Sequence, residues 1–204
     1  MSSVALAPAL EAAPATDHIV VLRNATWADY ERLLAMRGDH SAPRIAYLEG
    51  TIEIMSPSIH HEDIKSLIGT LVEAWCLEHG VRFRTCGSWT VKEEPKERGV
   101  EPDECYVFGD SGSKDDLVRP DLAIEVIWTS GGLDKLEIYR KLGVREVWIW
   151  RKGRLTPYAL RDEMYEEAEC SEVLPGIDLA QLVRYLDYDY TSDAILGYVA
   201  ALRG

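Results

Sequence analysis

Asp103, Asp121, Glu125 and Lys135 are the residues of this 204-residue chain whose types and spacing suit chemistry. Glu125 interrupts an apolar run from Pro120 to Thr129 that is closed by Ser130-Gly131-Gly132. Such a run reads as a central strand covered on both faces. Side chains alternate along a strand, so Asp121, Ala123 and Glu125 share one face while Leu122, Ile124 and Val126 share the other. An ionised carboxylate there is costly unless it is paired, hydrogen-bonded or bound to a metal. Two readings follow: a structural acid paired with a buried arginine or a loop, or an acid of an active site.

Lys135 is the second informative residue. With Ile138, Tyr139 and Leu142 it forms an i, i+3, i+4, i+7 stripe, which puts it on the inward face of a helix. A lysine at the end of such a stripe can also snorkel to water. A reversal from strand to helix would instead return its ammonium toward the acids. Asp103, near the start of a strand over 101–108, would meet them at one end of the sheet. Carboxylates with a neighbouring cation suit Mg²⁺ or Mn²⁺, which take hard oxygen ligands and retained waters. A metal so held polarises a phosphoryl oxygen and acidifies its water, and a lysine offsets developing charge, the parts of phosphodiester hydrolysis. Asp121 lies about 13 Å from Glu125 along an extended strand. Asp103 is therefore the better partner, and Asp121 either reaches the metal through a bend or sits at the rim as a loop cap.

These residues need elements to place them. Thr26-Trp27-Ala28-Asp29 opens a first helix by capping-box logic, ended by Gly38. Arg44 to Leu48 and Thr51 to Met55 form a hairpin about Glu49-Gly50. Ile64, Leu67, Ile68, Leu71, Val72 and Trp75 mark a long amphipathic helix from about His61 to His79. Short strands are expected over 81–85 and 88–91, followed by a charged loop over 92–99. A helix over 134–142 ends at Gly143, and the strand 146–150 turns at Lys152-Gly153 into 154–160. Asp178 opens a short helix, and a terminal helix covers about 192–202.

The length suits one domain over 19–204, preceded by a leader over 1–18 that is rich in Ala and Pro and reads as disordered. Its four cysteines form no C-x-x-C pair, which disfavours a zinc site or disulfide framework and fits a reducing cytoplasm. No segment approaches the roughly 20 apolar residues of a membrane span. The formal net charge of −13 weighs against a nonspecific nucleic-acid coat but leaves room for a few cations lining a cleft. Trp148, Trp150, Tyr158 and the apolar terminal helix could pack between two copies as a homodimer, or simply form core.

Arg119-Pro120-Asp121-Leu122-Ala123-Ile124-Glu125-Val126-Ile127, followed by the stretch from Asp134-Lys135 to Glu146-Val147-Trp148, resembles the PD-(D/E)XK nuclease superfamily. More closely it resembles the Uma-two family of predicted restriction-endonuclease-like proteins. Tyr47 to Ser58 with His61, and Glu101-Pro102-Asp103, support the likeness. It implies a mixed α/β, restriction-endonuclease-like core in which a mixed central sheet is flanked by helices. It further implies a DNA substrate, Asp103 and Glu125 as the metal-binding acids and Lys135 as the superfamily lysine. The usual pattern puts that lysine two residues after the second acid, where this chain has Ile127, so Lys135 would reach in from the helix. The likeness also puts a histidine at His61, able to contact metal or phosphate, although His60 and His61 at a helix start can equally be solvated. Glu62 offers an extra acid, and Glu49 is most simply a turn residue. Against a metal-dependent DNA endonuclease stands a catalytically idle module of the same fold that binds or regulates. A nucleotide phosphodiesterase is a third reading and would need a closed pocket.

Overall fold

The computed structural model describes residues 16–87, 89–110, 117–129 and 132–204. Most of the expected leader (1–15), Ser88 at the start of one expected strand, the loop 111–116 and Ser130-Gly131 lie outside the described residues. The end of the leader differs from expectation. Asp17 is buried and His18 opens a strand, β1 (His18–Arg23).

The helix α1 (Trp27–Arg37) starts at Thr26, whose hydroxyl accepts the Asp29 N–H while the Asp29 carboxylate accepts the Thr26 N–H, the expected reciprocal cap. β2 (Arg44–Leu48) and β3 (Thr51–Ser56) pair antiparallel about Glu49 and Gly50, both at positive φ. α2 (Ile59–Glu78) is capped by Ser58, and β4 (Phe83–Thr85) follows it. The charged segment is no loop. It folds into β5 (Val91–Glu93), a 3₁₀ turn over Glu94–Lys96 and β6 (Arg98–Val100), with Arg98 buried. β7 (Glu104–Phe108), β8 (Leu122–Val126), α3 (Lys135–Leu142), β9 (Glu146–Arg151), β10 (Arg154–Arg161), β11 (Met164–Glu167), α4 (Leu179–Val183) and α5 (Thr191–Arg203) complete the chain.

Two sheets result, the larger of them the expected mixed central sheet. β1-β3-β2-β6-β5 is antiparallel; β11-β10-β9-β8-β7-β4 is mixed, with β8 and β9 parallel through the crossover helix α3. The alternation in β8 holds. Leu122, Ile124 and Val126 enter the larger core with α2, α4 and α5, whereas Ala123 packs with Ile138, Tyr139 and Leu142 of α3. Glu125 therefore faces the space between the sheet and α3. Trp148 and Trp150 belong to the larger core of the single chain, so the ordinary-core reading accounts for both rings. Among the described residues no helix is long and apolar enough to cross a membrane.

Candidate active site

Lys135 is the first residue of α3, placed there by Asp134, whose carboxylate caps the helix by accepting the Glu137 N–H. Its side chain is only 13% exposed, and Nζ lies 3.0 Å from Glu53 Oε1. The other Glu53 oxygen accepts the Leu133 N–H at 2.6 Å, so β3 and the start of α3 are tied together at the lysine. Burial opposes the Lys135 charge, but Glu125, Glu53 and, more weakly, Asp103 outweigh it and hold the ammonium above its ordinary pKa.

Glu125 is 4% exposed and accepts a short hydrogen bond from the Tyr139 hydroxyl, one turn further along α3. Burial raises its pKa to about 7; Lys135 lowers it, Asp103 raises it, and the Tyr139 hydroxyl and Arg44 lower it. Asp103 behaves in the opposite way. Burial pushes its carboxyl upward, yet Arg44 and His61 hold it well below the ordinary carboxylate range. Asp103 Oδ1 is 2.5 Å from Arg44 and 3.0 Å from His61, and Oδ2 accepts the Val126 N–H at 2.6 Å. That last bond joins Asp103, which precedes β7, to the strand of Glu125. Although Oδ1 is at ion-pair distance from both cations, it completes no well-angled hydrogen bond.

His61 is fully buried, which excludes the solvated reading. Nδ1 lies 3.1 Å from Asp17 and Nε2 lies 3.0 Å from Asp103, while Arg44 stands 3.2 Å from the same Nε2. Burial lowers the imidazole pKa, but the two flanking carboxylates outweigh it and favour the doubly protonated ring. Arg44 pairs with two acids, Asp103 and Glu62. His61 thus aligns Asp103.

Asp103, Glu125 and Lys135 lie close enough to interact electrostatically. Asp121 does not join them: its carboxylate accepts the Phe108 N–H at 2.9 Å and pairs with Arg145 at 3.3 Å. It lies outside β8, at the end opposite Glu125, so its proposed place as a metal ligand is replaced by that of a loop cap. Glu62 pairs with Arg44 and Lys65, and Glu49 pairs with Arg98 at the hairpin turn.

Sequence reasoning missed Glu53, Tyr139, Arg44 and Asp17. For Glu53 a signal existed, an acid flanked by Ile52 and Ile54 in a strand, the pattern that drew attention to Glu125. Not every buried acid belongs to the site. Glu146 spends one oxygen on the Glu172 and Val173 N–H groups and the other on the Trp148 indole, and Glu101 is held by Arg37, Thr90 and the Ile45 N–H. Both are consumed by structure.

The donor set has hard oxygens at Asp103, Glu125 and Glu53, though no three His, Cys, Asp or Glu among the described residues already stand in a metal-holding group. One observation fits a divalent cation: the buried Asp103 Oδ1 has no completed hydrogen bond.

A family model described as "Uma2: Putative restriction endonuclease" matches residues 27–187. A search of curated proteins gave no match. Among solved structures, a putative nuclease belonging to DUF820 from Anabaena variabilis ATCC 29413 matches with 14% identity and a TM-score of 0.45, covering 81% of this chain and 96% of that one.

Proposed function

Because the chain belongs to the Uma2 family ("Putative restriction endonuclease"), we propose that it is a metal-dependent endonuclease hydrolysing phosphodiester bonds in DNA. The observation that carries this reading is the approach of Asp103, Glu125 and Lys135 to one another from three separate segments, with Glu53 paired to the lysine. The migrated lysine on α3 takes the place left by Ile127.

Asp103 and Glu125 are the residues that would hold Mg²⁺ or Mn²⁺. When bound, the cation polarises a phosphoryl oxygen and lowers the pKa of a water. The chain supplies the rest. Lys135, paired with Glu53, brings a positive charge to orient the attacking water and to balance charge on the phosphate. Tyr139 fixes the orientation of Glu125, and Arg44 with His61 fixes that of Asp103.

A second reading, an idle module that binds or regulates, is favoured by one specific observation. Arg44, His61 and a backbone N–H already engage both oxygens of Asp103. Plasmid DNA incubated with Mg²⁺ or Mn²⁺ separates the two. The endonuclease converts supercoiled plasmid to nicked and linear forms, and Lys135→Met slows it on the order of 10²- to 10³-fold, as loss of a transition-state donor does. Wild type and Lys135→Met equally inert under both metals would favour the idle module.

A further inference from the structure

Beside the acid cluster a stack of aromatic rings leads to the surface, and the nuclease reading does not use it. Trp150, 7% exposed, is parallel to Trp128 (5.7 Å between ring centroids, 7° between planes), and Trp128 is in turn stacked with His60 (5.5 Å, 24°). Trp128 is 38% exposed and His60 is exposed. The series therefore runs from the core to solvent. His60 and Trp128 line a cavity of about 390 Å³ together with Asp63, Thr70, Asp189 and Thr191.

Three links bind this cavity to the acids. Trp128 is three residues beyond Glu125 in the same segment, about 10 Å along an extended chain. His60 immediately precedes His61, which touches Asp103. The Thr129 hydroxyl accepts the N–H of Asp17, whose carboxylate holds His61. The cavity is thus joined through α2 and through the segment after β8 to the residues that hold Asp103.

The chemistry of the cavity selects which part of a nucleotide enters. Neither lysine nor arginine is among its lining residues, and two carboxylates are, so it repels phosphate. The carboxylates and hydroxyls accept hydrogen bonds from ring N–H and exocyclic amino groups, and His60, the exposed outer ring of the series backed by Trp128, offers a π-face. A cavity of this size holds one base, and a base within an intact duplex cannot present its face to it. A net charge of −13 also disfavours tracking the phosphates of a long duplex.

We infer that the cavity at His60 and Trp128 is a stacking subsite for a single unpaired base, so the substrate is DNA with single-stranded or extruded nucleotides beside the scissile bond. The inference rests on the nuclease reading for its substrate class. Stacking on such a ring is worth about tenfold in affinity per base.

The test is fluorescence anisotropy on the full chain in Ca²⁺, with a labelled 12-nucleotide single strand, its blunt duplex, and a 12-unit strand of abasic sugar-phosphates. The expected result is single-strand binding at least tenfold tighter than to the duplex or the abasic strand. Trp128→Ala and His60→Ala each remove about tenfold of that preference, and Trp128→Phe, which keeps a ring, retains most of it. Equal affinity for single strand and duplex, abasic binding as tight as the single strand, no binding to any of the three, or single-strand affinity unmoved by Trp128→Ala would each overturn the subsite. Plasmid cleavage and metal binding, measured on the same samples, separate the two ideas. If the nuclease reading alone fails, both are lost while stack-dependent binding persists. If the subsite alone fails, metal-dependent cleavage continues without sensitivity to Trp128.

Discussion

Lys135 Nζ and Glu53 Oε1 lie 3.0 Å apart, joining the first residue of α3 to the middle of β3. The pair brings the antiparallel sheet to the mixed sheet at the point where Glu125 and Asp103 meet. Buried pairs of this kind are fragile when halved. Lys135→Met should therefore destabilise the fold by about 3–5 kcal/mol, because Glu53 is left charged without its cation. The double variant Lys135→Met/Glu53→Gln should recover much of that loss in urea unfolding but none of the plasmid cleavage. Recovery of cleavage with stability would assign Lys135 a structural role only.

Gly132 offers a second handle on the same pair. Its φ is +99°, and a Cβ there would collide with Glu53 Oε2, the oxygen that accepts the Leu133 N–H. Gly132→Ala should displace Glu53 and loosen Lys135. The expected result is a loss of cleavage of tenfold or more with a stability loss of about 1–3 kcal/mol, since backbone strain and overpacking combine. Unchanged kinetics would mean that Glu53 does not aim the lysine.

Asp17 gives a prediction at the other end of the cluster. Its carboxylate accepts the Ser58 N–H at 2.8 Å and meets His61 at 3.1 Å. Asp17→Ala leaves both buried donors without an acceptor, at a cost of about 2–4 kcal/mol. Chemical denaturation of the variant measures this. Wild-type stability would show that the contact is incidental.

Glu125 sets a pH dependence with a definite sign. Burial, with Asp103 adding to it and Lys135 opposing it, raises its folded pKa from the ordinary 4.5 to about 7. The folded chain therefore binds more protons than the unfolded chain between those values. This contribution to stability is complete below about 4.5 and is lost as pH rises through about 7. His61, also raised, acts in the same direction. Between pH 5 and 8 the wild type should lose more stability than Glu125→Gln, by on the order of 3 kcal/mol at most, and urea midpoints at the two pH values read the difference. Parallel pH profiles would mean that Glu125 is already ionised in the fold.

Much of this was legible in the chain because local signals and burial agreed. Thr26 with Asp29, the Glu49-Gly50 turn, the apolar stripe of α2 and the lone acid of β8 each have one physical solution. β1 was missed because it is an edge strand with exposed side chains, so Ile19 to Leu22 show no alternation of burial. The segment 92–99 reads as a loop because charge ordinarily signals solvent. Arg98 is buried all the same, compensated by Glu49 and by the carbonyls of Lys96 and Glu97. Glu53 escaped notice because β3 alone looks like a half-polar hairpin strand, and only the docking of α3, distant in sequence, covers its acid. Asp121 shared an alternation with Glu125 but not an environment, since β8 begins after it.

Asp103 and Glu125 are proposed to hold a divalent cation beside Lys135. Calorimetric titration of Mn²⁺ or Mg²⁺ into wild type and Glu125→Gln at pH 6 and pH 8 tests this most directly. Wild type should bind with an affinity that tightens as pH rises toward about 7 and release a proton on binding at pH 6, and Glu125→Gln should lose both. No heat of binding in the wild type at either pH, or equal binding by Glu125→Gln, would contradict it.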